Sequence, residues 1–459
     1  MKKFPLVYLC LAIASMLFVS CFESSNSFDV KSEPYAVLRS FEISDINTRM
    51  TTKTEDGRDS TYNKITPGVK YQFSIDQTRN LVYNADSLPL GTDITRVVAD
   101  IDCDGIAYIY ADSIDNFRIY SNADSIDYTK PARMLIVSTD NSYSREYTIT
   151  LNVHTVDPDK LNWVEGTAAP VGEAAALRMF EKDGSLVLLS VAEDGNAALH
   201  TAQLPGVSEW TAHSVTDFPA NANLNSMTLF GGNYYVVAEG RLYTSSDASS
   251  WSEVAVDGTF AALFAASDED NVMWAVLNDS LARTSDAASG FTMVEPLPAS
   301  FPLYDISSIV APLRTNMKIN RYVVVGNSSQ SAYAQPVVWS KLTSERKWTH
   351  YRPSAYNEKL CPALESLTVL PYDGLLYAIG GKGTANGKEV ESLSAIYVSR
   401  DNGLTWSADL VNAPELPGQL SATDAAFTAM VDSNRNIWLV VSGENGALWR
   451  GRMNKFDLQ

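Results

Sequence analysis

Ser366-Leu367-Thr368-Val369-Leu370, Leu375-Leu376-Tyr377-Ala378-Ile379, Ala395-Ile396-Tyr397-Val398 and, after a turn, Trp406-Ser407-Ala408 are four strand-like runs in succession. Short runs rich in apolar, β-branched and aromatic residues, cut by Gly, Asp and Asn, read as strands joined by tight turns. The same order recurs upstream in runs 226–230, 234–238 and 240–244, followed by Trp251. An aromatic residue opens the last run of each unit: Trp163, Trp210, Trp251, Phe291, Trp348 and Trp406, spaced 47, 41, 40, 57 and 58 residues apart. These periods match or slightly exceed that of a four-stranded propeller blade.

The two ends of the repeat have complementary defects. Runs 426–431, 437–441 and 447–450 make three strands without a fourth, whereas Trp163 opens a run with no three before it. Joining them completes a sixth blade and removes two exposed sheet edges, which would otherwise invite aggregation. Residues 158–459 are therefore expected to form a six-bladed β-propeller closed by pairing of its N- and C-terminal strands. All nine Trp lie at or after position 163, five as blade marks and Trp274, Trp339, Trp438 and Trp449 within strand-like runs.

Ser399-Arg400-Asp401-Asn402-Gly403-Leu404-Thr405-Trp406 meets the pattern S-x-D-x-G-x-T-W at every fixed position. In such a turn an Asp side chain accepts bonds from nearby amides, Gly takes an unusual backbone angle, and the ring packs beneath. The octapeptide resembles the Asp-box of sialidases, other glycoside hydrolases and many non-enzymes. The resemblance gives Ser399, Asp401, Gly403, Thr405 and Trp406 a structural role on the propeller rim. Residues 284–291 and the shortened 245–251 resemble degenerate copies, and Leu376-Tyr377-Ala378-Ile379-Gly380-Gly381 resembles the strand and double glycine of a kelch blade. The chain as a whole resembles a family of Bacteroidetes lipoproteins of unassigned function. That family sets a β-sandwich ahead of a kelch/Asp-box-like propeller of the galactose oxidase/sialidase type.

Residues 33–157 carry the other periodicity. Runs such as Val37-Leu38-Arg39-Ser40-Phe41-Glu42-Ile43 and Tyr147-Thr148-Ile149-Thr150-Leu151-Asn152-Val153 alternate apolar and polar positions. Six or seven such strands, separated by Asn/Asp/Gly/Pro turns, predict an Ig-like β-sandwich ending at Val156-Asp157-Pro158-Asp159. The whole chain is thus expected to be all-β. Asp100-Ile101-Asp102-Cys103-Asp104-Gly105 opens like a calcium loop, but position twelve is Ala111 where a bidentate carboxylate is required. No metal site is assigned.

At the N-terminus, Lys2-Lys3 precede an apolar run from Phe4 to Val19, too short for an ordinary spanning helix. Phe18-Val19-Ser20-Cys21 resembles a bacterial lipobox, which implies a signal peptide over 1–20 and lipidation of Cys21. An ordinary secretory signal containing a Cys is the alternative. Residues 21–32, polar and Ser-rich, read as a tether. The expected location is the bacterial cell envelope, as an outer-membrane lipoprotein, with Glu23 a partial match to surface-display signals. Five Asp-Ser tripeptides, at 59–61, 86–88, 112–114, 124–126 and 279–281, resemble the O-glycosylation sequon of Bacteroidetes and equally suit ordinary turns.

Composition narrows the function. Against 35 Lys+Arg stand 54 Asp+Glu, a net charge of −19, which argues against nucleic acid because phosphate contacts need clustered cations. The four His lack a nucleophile elbow, and Cys361 has no copper-radical context. A sialidase needs three substrate arginines and an Arg-Ile-Pro signature, for which Tyr351-Arg352-Pro353 is a poor substitute. Catalytic residues and cofactors are therefore not assigned. The leading expectation is a lipid-anchored protein, attached to the membrane through its anchor, whose propeller binds a glycan or protein without catalysis. Its contact loops would be Arg314 to Arg321, Asn327 to Gln335 and Lys382 to Ser392, with Lys382, Lys388, Glu389 and Glu391 read as solvated loop charges. The alternative is a glycan-active hydrolase or lyase with paired carboxylates at the propeller's central face.

Overall fold

The computed structural model of the chain describes residues 35–54, 58–110, 116–328, 335–352, 359–385, 388–408, 414–420, 424–443 and 446–456. Cys21, the segments 1–20 and 21–32, and the tripeptide 112–114 lie outside them. The chain forms two compact units, one ending at Asp157 and the other beginning at Pro158. Every described element is a strand or a single 3-10 turn.

In the first unit, Val37–Ile43, Val97–Asp104 and Ser125–Ile126 make one sheet. A six-stranded sheet runs Phe73–Asp76, Leu81–Asn84, Ser144–Thr150, Ala132–Val137, Ile106–Tyr110, Phe117–Ile119, with a parallel pair between Leu81–Asn84 and Ser144–Thr150. Alternate residues of both sheets, Leu38, Phe41 and Ala99 from one and Ile109, Met134, Ile136, Tyr147 and Ile149 from the other, meet in one core. The Tyr147 hydroxyl accepts from the Leu38 amide at 3.1 Å and donates to Gln77 at 2.7 Å. The unit has eleven described strands, more than the six or seven expected. Most of the surplus escapes hydrophobic patterning for a physical reason. The hairpin of Ile46–Lys53 and Asp59–Thr66, for example, is mostly Thr, Asn, Arg, Lys and Tyr with little burial.

The second unit contains, among the described residues, five four-stranded antiparallel sheets, a three-stranded sheet Thr368–Tyr372, Leu375–Ile379, Tyr397–Ser399, and a small satellite sheet. One edge strand from each of the six larger sheets lies side by side with the next. Ala174–Lys182 touches Phe427–Val431, which touches Thr368–Tyr372, then Tyr304–Leu313, Phe260–Ser267 and Thr228–Phe230. The 3-10 turn Leu224–Ser226, just before the last of these, touches Ala174–Lys182. This radial order is that of a β-propeller domain. Leu161–Glu165, the first strand of the unit, pairs antiparallel with Ala447–Met453, next to Ile437–Val441 and Phe427–Val431.

Packing between sheets accounts for the sequence pattern. Leu186 and Leu188 meet Trp438 and Val440, whereas Leu189 meets Tyr234 and Val236 on the opposite face. Phe264 and Trp274 meet Tyr322 and Trp339; Val323 and Val338 meet Val369 and Trp406; Leu370 and Tyr377 meet Leu439 and Trp449. Each sheet is covered on both sides, so its middle strand reads as a continuous apolar run rather than an alternation. Two expected loops are corrected. Residues 314–321 are mostly strand, because Asn316–Asn327 extends the hairpin, with Asn316, Met317 and Lys318 exposed at its tip. The segment 382–392 contains the paired strands Gly383–Ala385 and Lys388–Val390, so Lys388 and Glu389 sit on a hairpin. After Trp406 the expected strand shrinks to one bridge, Val398 to Ser407.

Candidate functional site

A cleft of about 640 Å³ opens where several inner strands begin. Glu173 stands just ahead of Ala174–Lys182, Glu365 ahead of Thr368–Tyr372 and Asp424 ahead of Phe427–Val431. Glu193 reaches it from the turn after Ser185–Ala192, and Lys382 from the segment after Leu375–Ile379. The ends of antiparallel strands alternate between two faces, so these turns converge on one face of the domain. The Lys382 ammonium lies 2.7 Å from the Asp424 carboxylate, which raises the lysine pKa. Backbone bonds fix the floor: Glu365 N–H donates to Lys382 O at 2.9 Å, and Gly381 N–H to Glu365 O at 2.7 Å. At Gly380 an added Cβ would stand 2.4 Å from Leu364 Cβ, so the double glycine allows the chain to pass there.

Four carboxylates and one ammonium give this cleft a net negative lining. The carboxylates accept hydrogen bonds from hydroxyls and pair with cations. Below the inner-strand starts, the strands themselves line a channel of about 360 Å³. Arg178 lines it, its Nε enclosed without a hydrogen-bond partner among the described residues, and burial pushes the guanidinium pKa down to about 10. Two of the propeller's three histidines are engaged elsewhere: His350 stacks on Trp339 at 5.0 Å, and His213 bonds Thr201 at 2.8 Å, whereas His200 Nδ1 is enclosed without a hydrogen-bond partner among the described residues. Cys361 is buried and free, and Cys103 is free in the other unit. Among the described residues no group of three His, Cys, Asp or Glu is arranged to hold a metal, and no helix is long and apolar enough to cross a membrane.

The five Asp-box residues come together as one turn. Asp401 accepts from the Thr405 amide at 2.8 Å and hydroxyl at 2.6 Å, and from the Ser399 hydroxyl at 2.9 Å. Ser399 Oγ accepts from Gly403 N–H at 2.8 Å, and Trp406 Nε1 donates to Gly403 O at 2.9 Å. Burial works against the charge on Asp401, yet the bonds from Thr405 and Ser399 hold its pKa below the usual carboxylate value. Gly403 has φ +93°, where any other residue would be strained. The shortened copy keeps the logic: Ser249 and Ser250 amides bond Asp247, and Trp251 Nε1 donates to Ala248 O at 2.9 Å. In the third, Asp286 caps a 3-10 turn instead. The Asp100, Asp102 and Asp104 carboxylates lie along a strand, the first bonded by Asn122 and the others facing Arg39.

Sequence reasoning missed three anchoring carboxylates. Asp305 accepts from Ser366 N–H at 2.8 Å, Asn327 at 3.0 Å and Asn225 at 3.5 Å, joining three sheets. Asp432, buried, accepts from the Asn436 amide and from Trp438 Nε1. Asp270 accepts from Tyr322 at 2.6 Å and Asn320 at 3.0 Å. Only Asp432 lies in a turn that spacing marks, Asp-Ser-Asn-Arg-Asn; the other two draw most of their partners from segments 22 to 80 residues away.

The architecture is that of an all-β protein with a β-propeller domain. The chain belongs to the DUF6242 family: the DUF6242 beta propeller domain matches residues 157–459, and the DUF6242 N-terminal domain, a domain of unknown function, matches 41–151. No curated protein matches the sequence. Among solved structures, AofleA from Arthrobotrys oligospora is similar at 14% identity over 64% of this chain and 86% of its own, with a TM-score of 0.35. The soluble aldose sugar dehydrogenase of Escherichia coli is similar at 9% identity over 64% and 100%, with a TM-score of 0.35. The GH74 enzyme of Niastella koreensis is similar at 13% identity over 78% and 44%, with a TM-score of 0.30.

Proposed function

We propose that this is a lipid-anchored outer-membrane protein of the bacterial envelope, with Cys21 carrying the lipid. Its Ig-like sandwich and tether precede a six-bladed propeller that binds a glycan or protein without catalysis. The ring is closed by Leu161–Glu165 against Ala447–Met453, a reading supported by the side-by-side order of the inner strands. The observation that carries the binding site is the convergence of Glu173, Glu193, Glu365, Lys382 and Asp424 on one 640 Å³ cleft. Clefts built by loops on a rigid scaffold are where ligands commonly bind. Its negative lining suits a neutral glycan, whose hydroxyls donate to carboxylates, or a basic protein segment.

The same carboxylates favour a second reading, a glycan-active hydrolase or lyase using two of them as acid and base. A glycan array combined with a glycosidase-substrate screen, on protein lacking residues 1–21, separates the two. Binding without turnover supports the binding module. Turnover supports the enzyme, and silence in both directs the search to a protein partner. The anchor is tested apart from this, by metabolic labelling with a fatty-acid analogue in the native envelope: incorporation lost in Cys21→Ser supports it, and equal labelling of the two contradicts it.

A further inference from the structure

A second cleft, of about 470 Å³, lies at the other end of Thr368–Tyr372 and has the opposite charge. Arg314, Arg321 and Arg400 line it. Arg314 occupies the turn between Tyr304–Leu313 and Asn316–Asn327, Arg321 lies within the latter strand, and Arg400 follows Tyr397–Ser399 in the neighbouring sheet. Among the described residues lining it there is not one Asp or Glu. None of the three arginines belongs to any described ion pair. The Nε of Arg321 is enclosed and has no hydrogen-bond partner among the described residues. Arg314 is folded onto Gly374, where an added Cβ would stand 2.3 Å from its Nη2.

The chain has 54 acidic residues to 35 basic ones, so a basic side chain easily finds a counter-charge. Three arginines that share one cavity with no carboxylate in its described lining repel one another, and the Nε of Arg321 is left unmatched. A planar guanidinium presents paired N–H groups at the spacing of oxyanion oxygens. We propose that this cleft binds a tetrahedral oxyanion, a phosphate or sulfate group, gripped by Arg314, Arg321 and Arg400. Ile309, Val323 and Leu376 supply an apolar wall for whatever carries the group. The site is separate from the acidic cleft and does not depend on the function proposed there.

The test is isothermal titration calorimetry of the full chain with four probes: inorganic phosphate, inorganic sulfate, glucose 6-phosphate and glucose 6-sulfate. Saturable binding of one probe molecule per chain is expected, weakening with added salt. Arg314 and Arg400 are exposed, so Arg314→Gln/Arg400→Gln should fold normally and bind about tenfold or more weakly. Arg321→Lys keeps the charge, loses the fork, and should fall between. Tighter binding of a sugar ester than of the free anion identifies a carried group; equal binding identifies the free anion. No saturable binding by any probe, or undiminished binding in a double variant of native thermal midpoint, overturns the proposal.

Discussion

Trp163 lies directly opposite Gly451 across the pair that joins the first and last strands of the propeller domain, and its ring fills the space a side chain would need. A Cβ on Gly451 would stand 2.8 Å from the Trp163 ring, whose Nε1 donates to Glu415 O at 2.7 Å. Gly451→Ala should therefore destabilise the domain by about 1–3 kcal/mol through overpacking. In Trp163→Ala the same glycine change should cost much less, a coupling that a double-mutant cycle in urea would read. Additive effects would contradict the ring contact. Because every Trp lies at or after position 163, Trp fluorescence follows this unit alone.

Trp406→Ala should cost about 3–5 kcal/mol, since the ring is buried among Val338, Cys361 and Leu376. Trp406→Phe keeps most of the burial and loses the bond to Gly403 O, at about 1–2 kcal/mol. A Trp406→Phe midpoint equal to the parent's would remove the hydrogen bond from the account, and equal midpoints for the two variants would remove the burial of the ring.

Acid should loosen the Asp-type turns. Backbone and side-chain bonds from Ser249 bring the Asp247 pKa down to about 2, and that of Asp401 is also lowered. A folded pKa below the unfolded value of about 3.9 means that the contribution is complete above that value. It is lost as pH falls from about 4 towards about 2. The fluorescence-detected midpoint should drop over this window, less steeply in Asp247→Asn/Asp401→Asn. A parallel drop would assign acid sensitivity to other carboxylates.

Arg178→Met should leave stability unchanged or raise it, because its guanidinium is buried and has no carboxylate partner among the described residues to offset the desolvation. A marked fall in thermal midpoint would show that the channel supplies the charge with a partner.

The repeats of the propeller half were legible because each blade buries both faces. Leu375–Ile379 and Ile437–Val441 stand out as apolar runs with the boundaries the sequence suggests. The Asp401 turn was legible for a different reason: its side-chain hydrogen bonds span four residues or fewer. The candidate sites were not. Glu173 and Asp424 are far apart in sequence and share a cleft only because their strands are neighbours; Arg321 and Arg400 share one because their sheets are. Spacing cannot show such a pair. The polar hairpin Ile46–Lys53 and Asp59–Thr66 was missed because pairing without burial leaves no hydrophobic period.

The most direct measurement is glycan and protein binding by the propeller with and without Asp424→Lys, which replaces the carboxylate beside Lys382 with a second ammonium. Both side chains are more than half exposed, so the thermal midpoint should hold. The account predicts a ligand that binds the parent without being turned over, with binding lost in the variant. Turnover of a bound glycan, or binding that survives the charge reversal in full, would contradict it.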